Sequence, residues 1–296
     1  MNGIINLLKP PGMTSHDMVA QVRRIARTKK VGHTGTLDPN AAGVLPICIG
    51  QATKISQFLL DSKKQYRAEL TLGLKTDTQD SYGNIIDKKD VNLTSNDIII
   101  AIKSFIGQYN QVPPMYSAVK KEGKKLYELA RAGIEVERKP RKVYIEDISI
   151  VKLDKNKIIF DVVCSKGTYI RTLCNDIGES LGCGGIMSFL LRTATGPFQL
   201  SSSVLLEELT EIEDISSVLF PIDYPLSNIP KVTIKDTMSQ AALNGNKIDL
   251  SNIIENISLN KDEIVRVYLK DSFIGIATVE ENSEGKRNIR FKRLFA

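Results

Sequence analysis

The stretch KKVGHTGTLDPNAAGVLPICIG (29–50) joins a basic start, a loop rich in Gly and Thr, and a continuous apolar run. The loop carries His33, one of only two histidines in the chain, and Asp38 followed by Pro39. Gly32 and Gly35 permit backbone angles that other residues avoid, so the loop can fold back on itself. Pro39 restricts Asp38 to extended conformations, which aims its carboxylate instead of leaving it to cap a following helix. VLPICIG (44–50) then reads as a strand on which the loop is mounted. Taken alone, an Asp-Pro pair also serves to begin a turn, and a loop histidine is commonly a polar surface residue. Both readings stay open at this point.

The surroundings narrow the choice. At 296 residues, with a hydrophobic fraction of 42%, the chain has room for one large domain, or a large and a small one, each with a packed core. No apolar run is long enough to span a bilayer, and MNGIINLLKPPG lacks the layout of a signal peptide, so a soluble cytoplasmic protein is expected. Cys48, Cys164, Cys174 and Cys183 form no C-x-x-C pair, and two histidines add few ligands. Reduced buried thiols are expected, and no metal site. Charge is uneven: residues 1–75 hold eleven Lys/Arg against four Asp/Glu, whereas 201–230 hold six acids and no base. A basic first third suits a polyanion such as RNA, although solubilising lysines account for charge alone.

Periodicity supplies the elements. GIINLLKP (3–10) reads as a short buried strand before a Pro-Pro-Gly turn. A helix capped by Ser15 and running through Arg27 places Met18, Val22 and Ile25 on one face, with Arg23, Arg24 and Arg27 near its end. Residues 52–60 read as a short helix, and Tyr66, Ala68, Leu70 and Leu72 alternate as a half-buried strand. TDTQDSYGN (76–84) is turn chemistry, and SNDIIIAIKSFIG (95–107) is a capped helix that stops at Gly107. A lysine-rich flap (about 112–142) follows, then strands in VYIEDISIVKL and KIIFDVVCSKG and a helix from about Thr168. Strands and helices alternate without a regular β-α-β rhythm, so the fold class is α+β with a mixed sheet. An acidic connector (201–230) leads to a β-rich module whose strand candidates are IVRVYLK, SFIGIATVE and NIRFKRLFA.

There is no phosphate loop, no G-x-G-x-x-G, no H-E-x-x-H and no G-x-S-x-G. Instead, KVGHTGTLDPNAAGVLPICIGQATK (30–54) resembles the signature of the TruB family of tRNA pseudouridine-55 synthases. LLKPPGMTSHD (7–17), KQYRAELTLGLKTDTQDSYG (64–83), CSKGTYIRTLCNDIG (164–178) and FLLRTATGPF (189–198) resemble four further family motifs, in order over nearly 200 residues. The resemblance implies a mainly antiparallel pseudouridine synthase domain over 1–230 and a PUA-type RNA-binding domain over 231–296. It implies an enzyme that isomerises uridine 55 in the T-loop of tRNA, with no cofactor, no membrane and no obligatory protein partner, acting as a monomer.

By the same resemblance, Asp38 is the carboxylate that acts as nucleophile or as base, and Arg171 is the cation that keeps it charged and oriented. Tyr66 stacks on uracil and takes part in proton transfer. Tyr169 and Leu191 line the uracil pocket, His33 fills the gap left by a flipped nucleotide, Lys9 braces the loop, and Asp80 contacts RNA or supports its loop. Arg23, Arg24, Arg27, Lys29 and Lys30 are candidates for phosphate contacts. Three competing functions remain: a non-catalytic tRNA-binding or tRNA-folding protein, a glycosidase-like hydrolase, and a related synthase acting on another RNA. Binding alone does not require Asp38, Tyr66 and Arg171 together, and no second carboxylate sits in a matching motif for the hydrolase.

Overall fold

A computed structural model of the chain describes residues 1–283 and 285–295. The first part runs β1 (Gly3–Lys9), α1 (Ser15–Ile25), β2 (Val31–His33), β3 (Ala42–Ile49), α2 (Ser56–Leu60), β4 (Lys64–Leu72), β5 (Leu74–Thr76), β6 (Ile85–Lys88), α3 (Ser95–Lys103) and β7 (Gly107–Gln111). It continues with β8 (Lys120–Lys121), β9 (Lys124–Lys125), α4 (Leu126–Arg131), β10 (Arg141–Asp154), β11 (Lys157–Cys164), α5 (Ile170–Ser180), β12 (Gly185–Thr195), β13 (Phe198–Gln199) and α6 (Leu206–Glu211). The last part holds β14 (Lys231–Ile234), α7 (Ser239–Leu243), β15 (Ile248–Asp249), β16 (Ile264–Leu269), β17 (Ser272–Glu281) and β18 (Arg287–Leu294). The final residue of the expected strand NIRFKRLFA lies outside the described residues.

The larger sheet has the order β1-β3-β12-β4-β11-β10-β7, with β2 on β3 and β13 on β12. Among the described residues its pairs are antiparallel except β3 with β12, which is the α+β, mainly antiparallel architecture expected. α3 and α5 cover one face, burying Ile98, Ile102, Ile170, Leu173, Cys174 and Ile177 against Ala68, Leu70, Phe160 and Val162. α1 covers β1 and β3 with Met18, Val19 and Val22 against Ile5, Leu7, Leu45 and Ile47. Burying side chains of this size contributes roughly 1.5–3 kcal/mol each. The four cysteines are free and buried, and burial pushes the Cys48 and Cys164 thiols up to about 12, which leaves them unreactive.

Three local expectations change. Thr14, not Ser15, caps α1: its hydroxyl accepts from the Asp17 N–H while the Asp17 carboxylate accepts from the Thr14 N–H. Both residues are good caps, and the acid three positions on decides between them. α1 stops at Ile25, and Arg27 follows it in a left-handed conformation (φ 49°). α3 ends at Lys103, and Gly107 opens β7.

The acidic stretch 201–230 is more than a connector. It bridges β1 at Ile4–Phe220 and Leu7–Val204, and it buries Leu209 and Ile215 against α1 and β1. Beyond it, β14, β16, β17, β18 and β15 form a five-stranded sheet in that order. This sheet has its own core of Val232, Ile234, Val265, Val267 and Ile289. Its Ile276 also joins Ile4, Val44, Ile55 and Phe198, so the two sheets share a packed seam.

Candidate active site

The loop between β2 and β3 is held from three sides by groups far away in sequence. Lys9, fully buried at the end of β1, donates to the carbonyls of Met13 (2.6 Å), Pro10 (2.8 Å) and Pro39 (2.8 Å). Burial lowers its pKa to about 8, with Asp38 opposing that shift. Ser15, freed from capping, accepts from the Leu37 N–H at 2.9 Å and donates back to the Leu37 carbonyl at 3.2 Å. Arg192 of β12, 1% exposed, donates to the carbonyls of Val44 (2.7 Å), Gly35 (3.2 Å) and Thr36 (3.5 Å). Gly43 makes the close pass over Arg192 possible. Its φ is +125°, and a Cβ there would lie 2.2 Å from the Arg192 carbonyl oxygen.

This bracing presents Asp38 to Arg171, which stands in the first turn of α5. Arg171 Nη2 donates to Asp38 Oδ1 at 3.0 Å. Its Nε lies 2.8 Å from Oδ2, an ion pair although that N–H points off the hydrogen-bond axis. The same guanidinium donates to the Tyr116 carbonyl at 2.9 Å and stands 3.8 Å from Asp80 Oδ2. Only 6% of the Arg171 side chain is exposed against 35% of Asp38's, so the cation is sealed in while the carboxylate opens to an incoming molecule. Asp80 is turned toward its own loop: its Oδ1 accepts from Thr78 Oγ1 (2.7 Å) and the Tyr82 N–H (3.0 Å).

Tyr66 of β4 lies half-buried in register with Arg192. Burial raises its hydroxyl pKa, with the neighbouring Arg192 guanidinium pulling the other way, so the phenol keeps its proton at neutral pH. Tyr169, also half-buried, is the N-cap residue of α5, two positions before Arg171. His33 ends β2, and its Nδ1 accepts from the Gly35 N–H at 3.3 Å. Burial, followed by the Arg192 charge, lowers its pKa, so the ring is neutral at pH 7.

Leu191 is not brought onto this face. Register sets it opposite Arg67, whose side chain pairs with Asp161 on the exposed side, while Leu190 is opposite Ala68. Leu190, 7% exposed, shares a cluster with Leu37, Ala41 and Tyr66, and so takes the position expected of Leu191. β-Bulges in β12 between Met187 and Phe189 and between Arg192 and Ala194 break the alternation, and a one-residue slip reverses the face.

Arg23, Arg24, Arg27 and Lys29 are exposed and, with Thr28, line a shallow depression of about 330 Å³ at the end of α1. Lys30 is exposed beside it but does not line it. Reading the sequence overlooked Arg192, Ser15, Leu190 and the Tyr116 carbonyl. Of these only Arg192 left a signal, a cation inside the apolar run of β12, where an unpaired charge is too costly to bury. No group of three or more His, Cys, Asp or Glu that could hold a metal occurs among the described residues, and no helix there is long and apolar enough to cross a membrane.

Comparison with known proteins identifies the family. Residues 23–170 match the model of the TruB family pseudouridylate synthase N-terminal domain, and residues 171–227 that of the tRNA pseudouridylate synthase B C-terminal domain. The chain is 56% identical to the tRNA pseudouridine synthase B of Alkaliphilus oremlandii over 99% of this chain and 98% of the other. It is 50% identical to that of Clostridium kluyveri over 93% and 95%. Among solved structures, a chain of a Cbf5-Nop10-Gar1 complex superposes with a TM-score of 0.78 at 30% identity, covering 99% of this chain and 85% of that one. A chain of an H/ACA RNP bound to a substrate RNA containing 2'-deoxyuridine gives 0.77 at 27% identity, with the same coverage. The matches span both loops that meet at Arg171, and on that basis the chain belongs to the TruB family of pseudouridylate synthases.

Proposed function

We propose that this protein isomerises uridine to pseudouridine in tRNA, at uridine 55 of the T-loop. The observation that carries the reading is the Asp38–Arg171 pair: an open carboxylate, bound at 3.0 and 2.8 Å by a sealed guanidinium, on a loop braced from three sides. Relatives at 44–56% identity that carry the name tRNA pseudouridine synthase B favour tRNA over another RNA.

The reaction breaks the N-glycosidic bond, turns the uracil and joins C5 to the ribose, with the C5 proton lost and the ring nitrogen regaining one. No atom is gained or lost overall. Asp38, paired with and aimed by Arg171, serves either as the nucleophile or as the base that starts an elimination at the sugar. Tyr66 offers a flat ring for uracil and, still protonated, a hydroxyl for proton transfer at C5. Tyr169 and Leu190 close the pocket. Extracting the base costs roughly a few kcal/mol of lost stacking, and the neutral imidazole of His33 fills the vacated space. The exposed cations at the end of α1 and on the β8–β9 hairpin take phosphates of the tRNA arm. The sheet of residues 231–296 acts as a PUA-type RNA-binding domain on the synthase domain of 1–230, in a monomer of the cytoplasm.

The test is tritium release from a tRNA transcript labelled at C5 of uridine. The expected result is one equivalent per tRNA from the unaltered transcript and none when uridine 55 is replaced by cytidine. No release from the unaltered transcript would overturn the reading.

A further inference from the structure

Gln111 is the last residue of β7, the edge strand that leads into the segment carrying the β8–β9 hairpin. It is a primary amide, 1% exposed, and it is used on both sides. Its Oε1 accepts from the Tyr169 N–H at 2.8 Å, and its Nε2 donates to the Tyr169 carbonyl at 3.0 Å and to the Tyr109 hydroxyl. The side chain thus copies the paired bonds of a β-ladder onto a single residue of another element.

That residue opens a helix without a side-chain capping bond of its own. Tyr169 is the N-cap of α5, with φ −99° and ψ 111°, and its side chain makes no capping bond. Tyrosine has no short acceptor with which to close the first turn, so the direction in which the chain enters α5 is left to outside contacts. Arg171 follows two residues later. Five residues beyond Gln111, the Tyr116 carbonyl accepts from Arg171 Nη2 at 2.9 Å. The root of the hairpin segment therefore grips the start of α5 at both Tyr169 and Arg171.

We infer that Gln111 is a positioning residue for the isomerisation: its amide fixes the Tyr169 peptide, and through it the aromatic wall and the Arg171 guanidinium that aims Asp38. This rests on the function proposed above, which wild-type tritium release tests separately in the same assay. A catalytic geometry displaced by about 1 Å costs on the order of 100-fold in rate, so loss of this clamp is read in the chemical step rather than in RNA binding.

The experiment is single-turnover tritium release with enzyme in excess, for wild type, Gln111→Leu and Gln111→Glu, with thermal melts alongside. Leucine keeps the volume and removes all three hydrogen bonds, whereas glutamate keeps an acceptor for the Tyr169 N–H and loses the donor. The expected result is a plateau rate about 10–100-fold lower for Gln111→Leu, an intermediate value for Gln111→Glu, and a half-saturating enzyme concentration within about twofold of wild type for both. A wild-type plateau in either folded variant overturns the inference. So does a loss confined to half-saturation, and so does failure of both variants to fold, which assigns Gln111 to structure alone.

Discussion

The loop that carries Asp38 and the turn that carries Asp80 meet at one guanidinium, and both are gripped by distant elements, but only the turn is also closed by its own side chains. The Asp38 loop is gripped from outside by Lys9 of β1, Ser15 of α1 and Arg192 of β12, each bonding its main chain. The Asp80 turn is closed by its own side chains, Asp77 accepting from the Asn84 N–H and amide and Thr78 and Tyr82 donating to Asp80. It is then docked by backbone bonds between Gln79, Ser81 and Met187 of β12 and by the Thr172 hydroxyl on Gln79. A turn closed by its own side chains is specified by residues a few places apart. An externally held loop takes its shape only when the sheet has closed, and any of its braces transmits a change to the carboxylate. The carboxylate proposed to do the chemistry, Asp38, stands on the loop gripped from outside.

Breaking the junction itself has the largest expected effect among the braces. Arg171→Met leaves Asp38 and Asp80 without their shared cation and lowers the single-turnover rate about 10²–10³-fold, with little change in tRNA half-saturation. Next comes Arg192→Met, which orphans the carbonyls of Val44, Gly35 and Thr36 in the interior. It destabilises the fold by about 3 kcal/mol, lowers Tm by about 6–10 °C in a thermal melt, and slows turnover about 10²-fold in the fraction that stays folded.

Lys9→Met sharpens the comparison through pH. The native Lys9 pKa of about 8 lies below its ordinary 10.5 because of burial, so the native state releases this proton before the unfolded chain does. Between those values the unfolded chain binds more protons, and the stability of wild type rises with pH. Relative to Lys9→Met, wild type gains about 2 kcal/mol from pH 7 to pH 9.5 in urea denaturation. A gap that narrows with pH would contradict the assigned shift. The smallest effect belongs to the side-chain closure of the Asp80 turn, whose docking on β12 remains: Asp77→Ala costs about 1 kcal/mol or less by the same denaturation and leaves turnover within about threefold of wild type.

The same contrast explains what was legible in the sequence. Asp38, His33, Tyr66 and Arg171 are legible because the stretches that carry them resemble the motifs of the TruB family, and the TDTQDSYGN turn announces itself. The strands β1, β3, β4, β10, β11, β16, β17 and β18 follow from periodicity and the mixed α+β class from their order, while the mainly antiparallel arrangement follows from the family resemblance. What stayed hidden is non-local. Arg192 bonds only carbonyls supplied by a distant loop, and Ser15 looks like a cap until Asp17 selects Thr14. Leu190 and Leu191 are adjacent and chemically identical, so only the bulged register of β12 separates the buried one from its neighbour. The acidic stretch reads as a connector because its few buried residues, Leu209, Ile215 and Leu226, are widely separated along it.

The central claim is that Asp38 is the group whose carboxylate does the chemistry. Its most direct test is Asp38→Ala in single-turnover tritium release from C5-labelled tRNA, with tRNA binding measured in parallel. The predicted result is no detectable release at wild-type affinity for the transcript. Release at a rate near that of wild type would contradict it.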